Sequence, residues 1–140
     1  MSDTVEQRPV YRNIHISQIR TYRLPLAGFV SILHRISGAL MFLLLPFIVW
    51  MFDASVSSEV SHAAFTAAFA AGLGFVPGWL VKLVALALIW AFLHHLIAGV
   101  RHVWMDVWHR VDLKSGRQSA IVTLAASLVL TLAFAHSLFF

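Results

Sequence analysis

The sequence predicts an all-α membrane protein with three transmembrane helices, a cytoplasmic amino terminus and a carboxyl terminus outside the membrane. Of its 140 residues, 60% are hydrophobic and only 11% are charged, and the mean hydropathy is +0.83. An ordinary soluble domain is about 45–50% apolar and about 25% charged. Three apolar segments, each near the roughly 20 residues that a spanning helix needs, are separated by polar stretches.

Residues 1–24 form a polar, basic arm that we expect to lie on the cytoplasmic side of the membrane. Its cations are Arg8, Arg12, Arg20 and Arg23. The pattern does not predict a secretory signal, because no apolar stretch with a small-residue cleavage site is present in it. Pro25, a residue tolerated in the first turn of a helix, opens the three-helix anchor that we predict over 25–140.

The predicted spans cover about residues 25–52, 78–105 and 118–139. The charge-free part of the first, 36–52, is 17 residues, or about 26 Å at ~1.5 Å per residue, so its helix must begin upstream. Pro46 lies within this span and predicts a kink, which membrane helices tolerate. The run SGRQS at 115–119 is expected to break the helical pattern before the third span.

The distribution of Lys and Arg predicts the orientation. The arm carries four of them, segment 53–77 none, segment 101–117 four, and the carboxyl end none. Because loops rich in Lys and Arg stay in the cytoplasm, 53–77 is predicted to be external. A short interfacial helix is expected within it, ending before Gly72. The positive charge flanks the spans instead of forming a soluble patch, so no nucleic-acid partner is expected.

The absence of cysteine limits the chemistry that this chain can supply. Without thiols there are no disulfides, no iron–sulfur ligands from this chain and no thiol catalysis. Any metal centre must therefore rest on histidine.

One candidate site lies at the inner end of the second span. His95, Gly99 and His102 occupy positions i, i+4 and i+7, which share one face of a helix. Gly99 leaves a notch between two imidazoles, which suits a flat cofactor whose metal one imidazole reaches. From spacing alone, His95 is either such a ligand or a hydrogen-bonded core histidine. The neighbouring His94 is about 100° round the helix and is interpreted as structural.

A second polar face lies at the same depth in the first span. Its members, at i, i+3, i+4 and i+7, are Ser31, His34, Arg35 and Gly38. If the two faces meet, they form a polar pocket in the inner leaflet, where a hydroxyl, an imidazole and a guanidinium could bind a carbonyl oxygen or a carboxylate. The alternative is that Arg35 merely extends to the lipid headgroups.

The two polar faces resemble two motifs of one family. The run SILHRISG, residues 31–38, is similar to the S-I-x-H-R-x-[ST]-G motif of the cytochrome b subunit of succinate dehydrogenase. The run HLIAGVRHVWMD, residues 95–106, resembles that family's H-x-x-x-G-[IV]-R-H-x-x-x-D motif. Arg8-Pro9, the three spans and the total length also match, so the resemblance covers nearly the whole chain.

The resemblance implies a role for each matched residue. His95 would be one axial ligand of a single haem b, opposite a histidine of a second hydrophobic anchor subunit. Ser31 and Arg35 would line the ubiquinone site. His34, Arg35, Gly99 and His102 would surround the haem and its propionates. Asp106 would pair with Arg101 or with the partner subunit.

The resemblance also implies a place in a larger assembly. The chain would anchor an iron–sulfur subunit and a flavoprotein subunit, and electrons from succinate would pass to quinone. We expect it in a bacterial inner membrane in preference to the mitochondrial one. Two alternatives remain: an anchor of a fumarate reductase that oxidises quinol, and a small non-redox transporter subunit, which would need ionisable residues across the full depth of the membrane.

Overall fold

The computed structural model describes residues 13–19 and 21–139, except for the side chain of Ile19. The predicted arm residues Arg8, Pro9, Arg12 and Arg20 lie outside this range. The helices are α1 (Ile16–Ile19), α2 (Leu26–Val56), α3 (Glu59–Ala70), α4 (Gly78–Val107) and α5 (Leu113–Phe139), and strands β1 (Gly72–Leu73) and β2 (Val76–Pro77) precede α4. Three of the described helices, α2, α4 and α5, are long and apolar enough to cross a membrane, which confirms the predicted all-α membrane architecture.

Helix α2 begins directly after Pro25, which has an extended backbone conformation with φ −65° and ψ 152°. Proline has no N–H to donate, so it is well placed where the backbone still has no helical partner. Pro46 lies within α2, which continues past it to Val56, beyond the span predicted to end at 52. Helix α2 therefore extends about one turn beyond the predicted apolar span.

The predicted external loop contains the expected short helix. Ser58 accepts a hydrogen bond from the Ser61 N–H, and the Ser61 hydroxyl caps the Ser58 N–H, so the two serines form a reciprocal cap that starts α3. Gly72, at φ +107°, turns the chain into the β1–β2 hairpin, a conformation that other residues rarely adopt. A Cβ on Gly78 would lie 2.7 Å from the carbonyl oxygen of Ala70, so glycine lets α4 start against the end of α3.

Helix α5 starts earlier than predicted, and the expected break at 115–119 does not occur. Asp112 precedes the helix and accepts a 2.9 Å hydrogen bond from the Ser115 N–H. The hydrogen bonds from Ser115 hold the pKa of the Asp112 carboxyl below its ordinary value. Gly116 is buried, 3.9 Å from the Ala27 Cβ when a Cβ is added. A Cβ at this position would make only an ordinary contact, and the acidic cap starts the helix despite the low helix propensity of glycine.

The bundle is held together by small side chains between its long helices. Helix α4 packs against both α2 and α5, and α2 also contacts α5. Val30, Ala98 and Ala120 form the buried centre. Small residues let membrane helices approach closely, which is how they associate when lipid is as apolar as the helix surface. Most large apolar side chains therefore point outward and remain exposed.

Candidate functional site

The polar faces of α2 and α4 meet, and three histidine rings lie together at the contact. The His34 ring stacks on the His95 ring, with centroids 4.1 Å apart and planes inclined by 18°. The His102 ring joins them, its centroid 5.3 Å from that of His34. The spacing analysis therefore identified the face of α4 that packs against α2.

Glycine makes this contact possible. A Cβ on Gly38 would lie 2.6 Å from His95 Cε1 and 3.0 Å from His95 Nδ1, well inside ordinary van der Waals contact. A Cβ on Gly99 would lie 3.7 Å from His34 Nε2, which is an ordinary contact. Gly38 therefore admits the His95 ring against α2, whereas Gly99 keeps the surface of α4 shallow beside His34.

One hydrogen bond determines the tautomer of His95. Its Nδ1 lies 2.9 Å from the backbone carbonyl oxygen of His34. A carbonyl oxygen can only accept, so Nδ1 carries the proton, and in the neutral ring Nε2 keeps its lone pair. Ser37 donates to the same carbonyl at 2.9 Å and lies 3.4 Å from His95 Nδ1. A carbonyl partner of this kind orients metal-ligating histidines and raises their basicity.

A groove with a volume of about 460 Å³ lies along α4 beside His95. Its other lining residues are Leu96, Gly99, Val100, Val103, Trp104, Val107 and Trp108. Most of these apolar side chains are exposed, so the groove opens to the outside of the bundle. It can therefore accept a flat apolar group against α4.

The donor set fits haem better than a bare metal ion. Within residues 13–19 and 21–139, no three His, Cys, Asp or Glu side chains are close enough to hold a metal ion together. His95 therefore offers one lone pair, Nε2, beside an apolar groove with a glycine in its wall. The iron of a haem is already bound by the nitrogens of its own ring, so this chain would need to supply only one imidazole as a ligand.

Ser31 and Arg35 lie beside the histidine cluster without joining it. Ser31 is half-buried and Arg35 is exposed. Neither side chain makes a hydrogen bond to any part of the chain that the structure describes. Both are therefore available to a ligand or a partner subunit at this edge of α2.

The predicted pair of Arg101 and Asp106 does not form within the described chain. Arg101 is buried, and it donates from Nε to the Ser119 hydroxyl at 2.9 Å and from Nη2 to the Gly116 carbonyl at 3.3 Å. Positions i and i+5 leave a helix on different faces, and Asp106 is exposed. Arg101 therefore joins α4 to α5, and Asp106 faces outward.

Two buried polar residues lie beside the cluster: Ser37, to which the sequence assigned no role, and His94, to which it assigned a structural one. Ser37 is buried and contacts His95, although only its place within the 31–38 motif singled it out. His94 is fully buried, with Nδ1 3.4 Å from the Ser127 hydroxyl and the ring stacked on Trp90. Its Nε2 has no hydrogen-bond partner within the described residues. His94 is thus a core residue, as its interpretation as structural implies.

Comparisons with known proteins show the family of this chain. The model of the family described as "Succinate dehydrogenase/Fumarate reductase transmembrane subunit" matches residues 4–134. The succinate dehydrogenase cytochrome b556 subunit of Paracoccus denitrificans is 32% identical over 112 residues, 80% of this chain and 81% of that protein. The subunit of the same name from Coxiella burnetii is 30% identical over 123 residues, 88% and 90% of the two chains. The chain belongs to the family of transmembrane subunits of succinate dehydrogenase and fumarate reductase.

Proposed function

We propose that this chain is the membrane anchor that binds haem b jointly with a second anchor subunit in a succinate:quinone oxidoreductase. The observation that carries the proposal is the hydrogen bond from His95 Nδ1 to the His34 carbonyl, because it leaves the Nε2 lone pair free for iron. The cytochrome b names of its relatives support haem as the cofactor.

The residues around His95 would hold the cofactor in place. The groove offers apolar contact along Gly99 and Val103, and its open side leaves room for the partner anchor that would supply the opposite ligand. The His34 ring stacks on His95, the His102 ring lies beside His34, and Arg35 is exposed nearby on α2, so these three would meet the propionates. When bound, haem supplies one-electron redox chemistry, which no side chain here provides.

Ser31 and Arg35 are proposed to bind ubiquinone. Their side chains make no hydrogen bond within the described part of the molecule, so a hydroxyl and a guanidinium are free to contact quinone oxygens. Both residues lie near the start of α2, towards the end of the bundle that carries most of the cations. Donors at these positions would stabilise the negative charge that develops on the oxygens during reduction.

The proposed assembly contains a flavoprotein subunit and an iron–sulfur subunit, which receive electrons from succinate. The positive-inside rule places the amino terminus in the cytoplasm, and the relatives from Paracoccus denitrificans and Coxiella burnetii favour a bacterial inner membrane. The family description includes fumarate reductase, so quinol oxidation is the alternative direction. A small non-redox transporter subunit is the other alternative, and it would need ionisable residues across the full depth of the membrane.

A reduced-minus-oxidised visible spectrum of the purified complex tests the haem assignment. We expect His95→Ala to abolish the sharp α band of a b-type haem, while His62→Ala, which changes an exposed histidine of α3, retains it. An unchanged band in assembled His95→Ala complex would mean that His95 is not the ligand.

A comparison of two electron acceptors tests the quinone assignment. We expect Ser31→Ala and Arg35→Leu to reduce quinone-linked turnover, whereas succinate oxidation with an artificial soluble acceptor continues. Arg117→Leu is a matched control, because it removes another exposed cation from the same end of the bundle. Unchanged quinone-linked turnover in assembled Ser31→Ala and Arg35→Leu complexes would contradict the assignment, whereas equal loss of both activities would indicate failed assembly.

A further inference from the structure

A second cavity lies between the end of α4 and the start of α5, and we call it the arginine cavity. Its volume is about 420 Å³. Arg101, Arg110, Ser115 and Gln118 line its polar part, and Ile97 and Val122 line its apolar part. At ~1.5 Å per residue, Ile97 lies about 6 Å deeper along α4 than Arg101, so the polarity changes along the axis of the bundle.

Arg101 has hydrogen-bonding capacity left for a ligand in this cavity. The side chain is only 7% exposed, and of its N–H groups only Nε and Nη2 donate within the described chain. Nη1 makes no hydrogen bond to the described residues, but it is not fully buried. Nη1 therefore keeps some exposure, and the side chain to which it belongs lines the cavity.

The positive charge at the arginine cavity is not neutralised by any residue that the structure describes. Neither Arg101 nor Arg110 forms an ion pair with a described residue. Asp106 is exposed, and Asp112 accepts its hydrogen bond from the Ser115 N–H. Buried Arg101 and exposed Arg110 therefore line one largely apolar space with no carboxylate partner among the described residues, which favours an anion with an apolar portion.

We propose that the arginine cavity binds an anionic phospholipid, with its phosphate on Arg101 and Arg110 and its acyl chain along Ile97 and Val122. Guanidinium groups bind phosphate oxygens in a bidentate manner, and basic pockets between transmembrane helices are suited to anionic headgroups. The site is independent of the proposed haem and quinone sites.

The geometry of α4 separates this site from the haem groove. His95 and Arg101 are six residues apart, so their side chains leave the helix about 120° from each other. Val100 and Trp104 line both spaces and stand between them. Val100 and Trp104 would therefore separate the carboxylates of a group bound in the groove at His95 from the arginine cavity.

Lipid binding to the delipidated, detergent-solubilised complex tests the proposal. We expect dioleoyl phosphatidylglycerol to bind and to raise the apparent melting temperature, and Arg110→Gln to weaken its affinity about fivefold. Arg117→Gln is the matched control, since it removes an exposed arginine from the same end of the bundle but not from the cavity, and we expect it to bind like the unmodified complex. Arg101 is left unchanged because it joins α4 to α5.

Three outcomes would overturn the proposal. Equal affinities for Arg110→Gln and Arg117→Gln would mean that the lipid responds only to overall charge. If dioleoyl phosphatidylcholine raised the apparent melting temperature as much as dioleoyl phosphatidylglycerol does, the cavity would bind an acyl chain without regard to the charge of the headgroup. If inorganic phosphate raised the apparent melting temperature as much as the lipid does, the arginines would bind a free anion and not a lipid. The visible spectrum of the same samples reports separately on haem, so failure here does not bear on His95.

Discussion

The substitution Gly38→Ala probes the contact between α2 and α4 on which the proposed ligand geometry depends. The added Cβ would lie 2.6 Å from His95 Cε1 and 3.0 Å from Nδ1. Carbon atoms prefer separations of roughly 3.5–4.0 Å, so the ring must retreat from α2 by about 1 Å. The neighbouring atoms belong to a side chain, so we expect the ring to move while the helix persists.

The retreat has a cost that can be estimated from the hydrogen bond it breaks. His95 Nδ1 is now 2.9 Å from the His34 carbonyl, and a 1 Å displacement takes this distance beyond hydrogen-bonding range. The lost bond is worth about 0.5–1.5 kcal/mol net. Losing such a partner typically lowers metal affinity by roughly 10–100-fold. The ligand also becomes less electron-rich, so the midpoint potential of the haem is expected to rise.

Haem content and a redox titration of the purified complex measure both effects. Gly116→Ala is the control, because its Cβ would lie 3.9 Å from the Ala27 Cβ, an ordinary contact, and alanine is favoured over glycine in a helix by about 1 kcal/mol. We expect Gly116→Ala to keep its haem and its potential. Full haem occupancy with an unchanged potential in Gly38→Ala would refute the reasoning.

Three further substitutions test separate features. In Ser37→Ala the His34 carbonyl keeps its bond from His95, so we expect haem to be retained and thermal stability to fall by about 1 kcal/mol; loss of haem would contradict this. His94→Leu removes the unpartnered Nε2, while Ser127 still donates to the Leu124 carbonyl. We therefore expect an unchanged haem spectrum and an equal or higher melting temperature. A lost α band would contradict this expectation. The pKa of Asp112 is lowered from 3.8, so the stabilisation by this cap is complete above that value and is lost as the pH falls through the lowered pKa. Melting temperatures measured from pH 6 to pH 3 should therefore fall less steeply for Asp112→Ala than for the unmodified protein, and identical slopes would contradict the cap.

The architecture could be predicted because its signals are local. Long apolar stretches, few charges and the asymmetry of Lys and Arg indicate three spanning helices, and the i, i+4, i+7 spacing identified the face of α4 that carries His95. The error at 115–119 arose because the run SGRQS was expected to break the helix. In the folded chain the Asp112 cap starts α5 before this run, and Gly116 is buried within the helix.

The rest of the site depends on contacts between helices that the sequence does not reveal. Arg101 was expected to pair with the nearby carboxylate of Asp106, but its real partners are on α5, 15 and 18 residues away. Ser37 and the backbone carbonyl of His34 become important only because Gly38 lets α4 approach. Backbone acceptors carry no sequence signature, so the bond that sets the His95 tautomer could not be predicted.

The most direct test of the central claim is the identity of the axial ligand supplied by this chain. Electron paramagnetic resonance and near-infrared magnetic circular dichroism of the oxidised complex report the ligands of a low-spin haem. We predict two histidines in the unmodified complex and histidine with methionine in His95→Met. Spectra of His95→Met that still indicate two histidines would contradict the account, because they would show that iron is held by another residue.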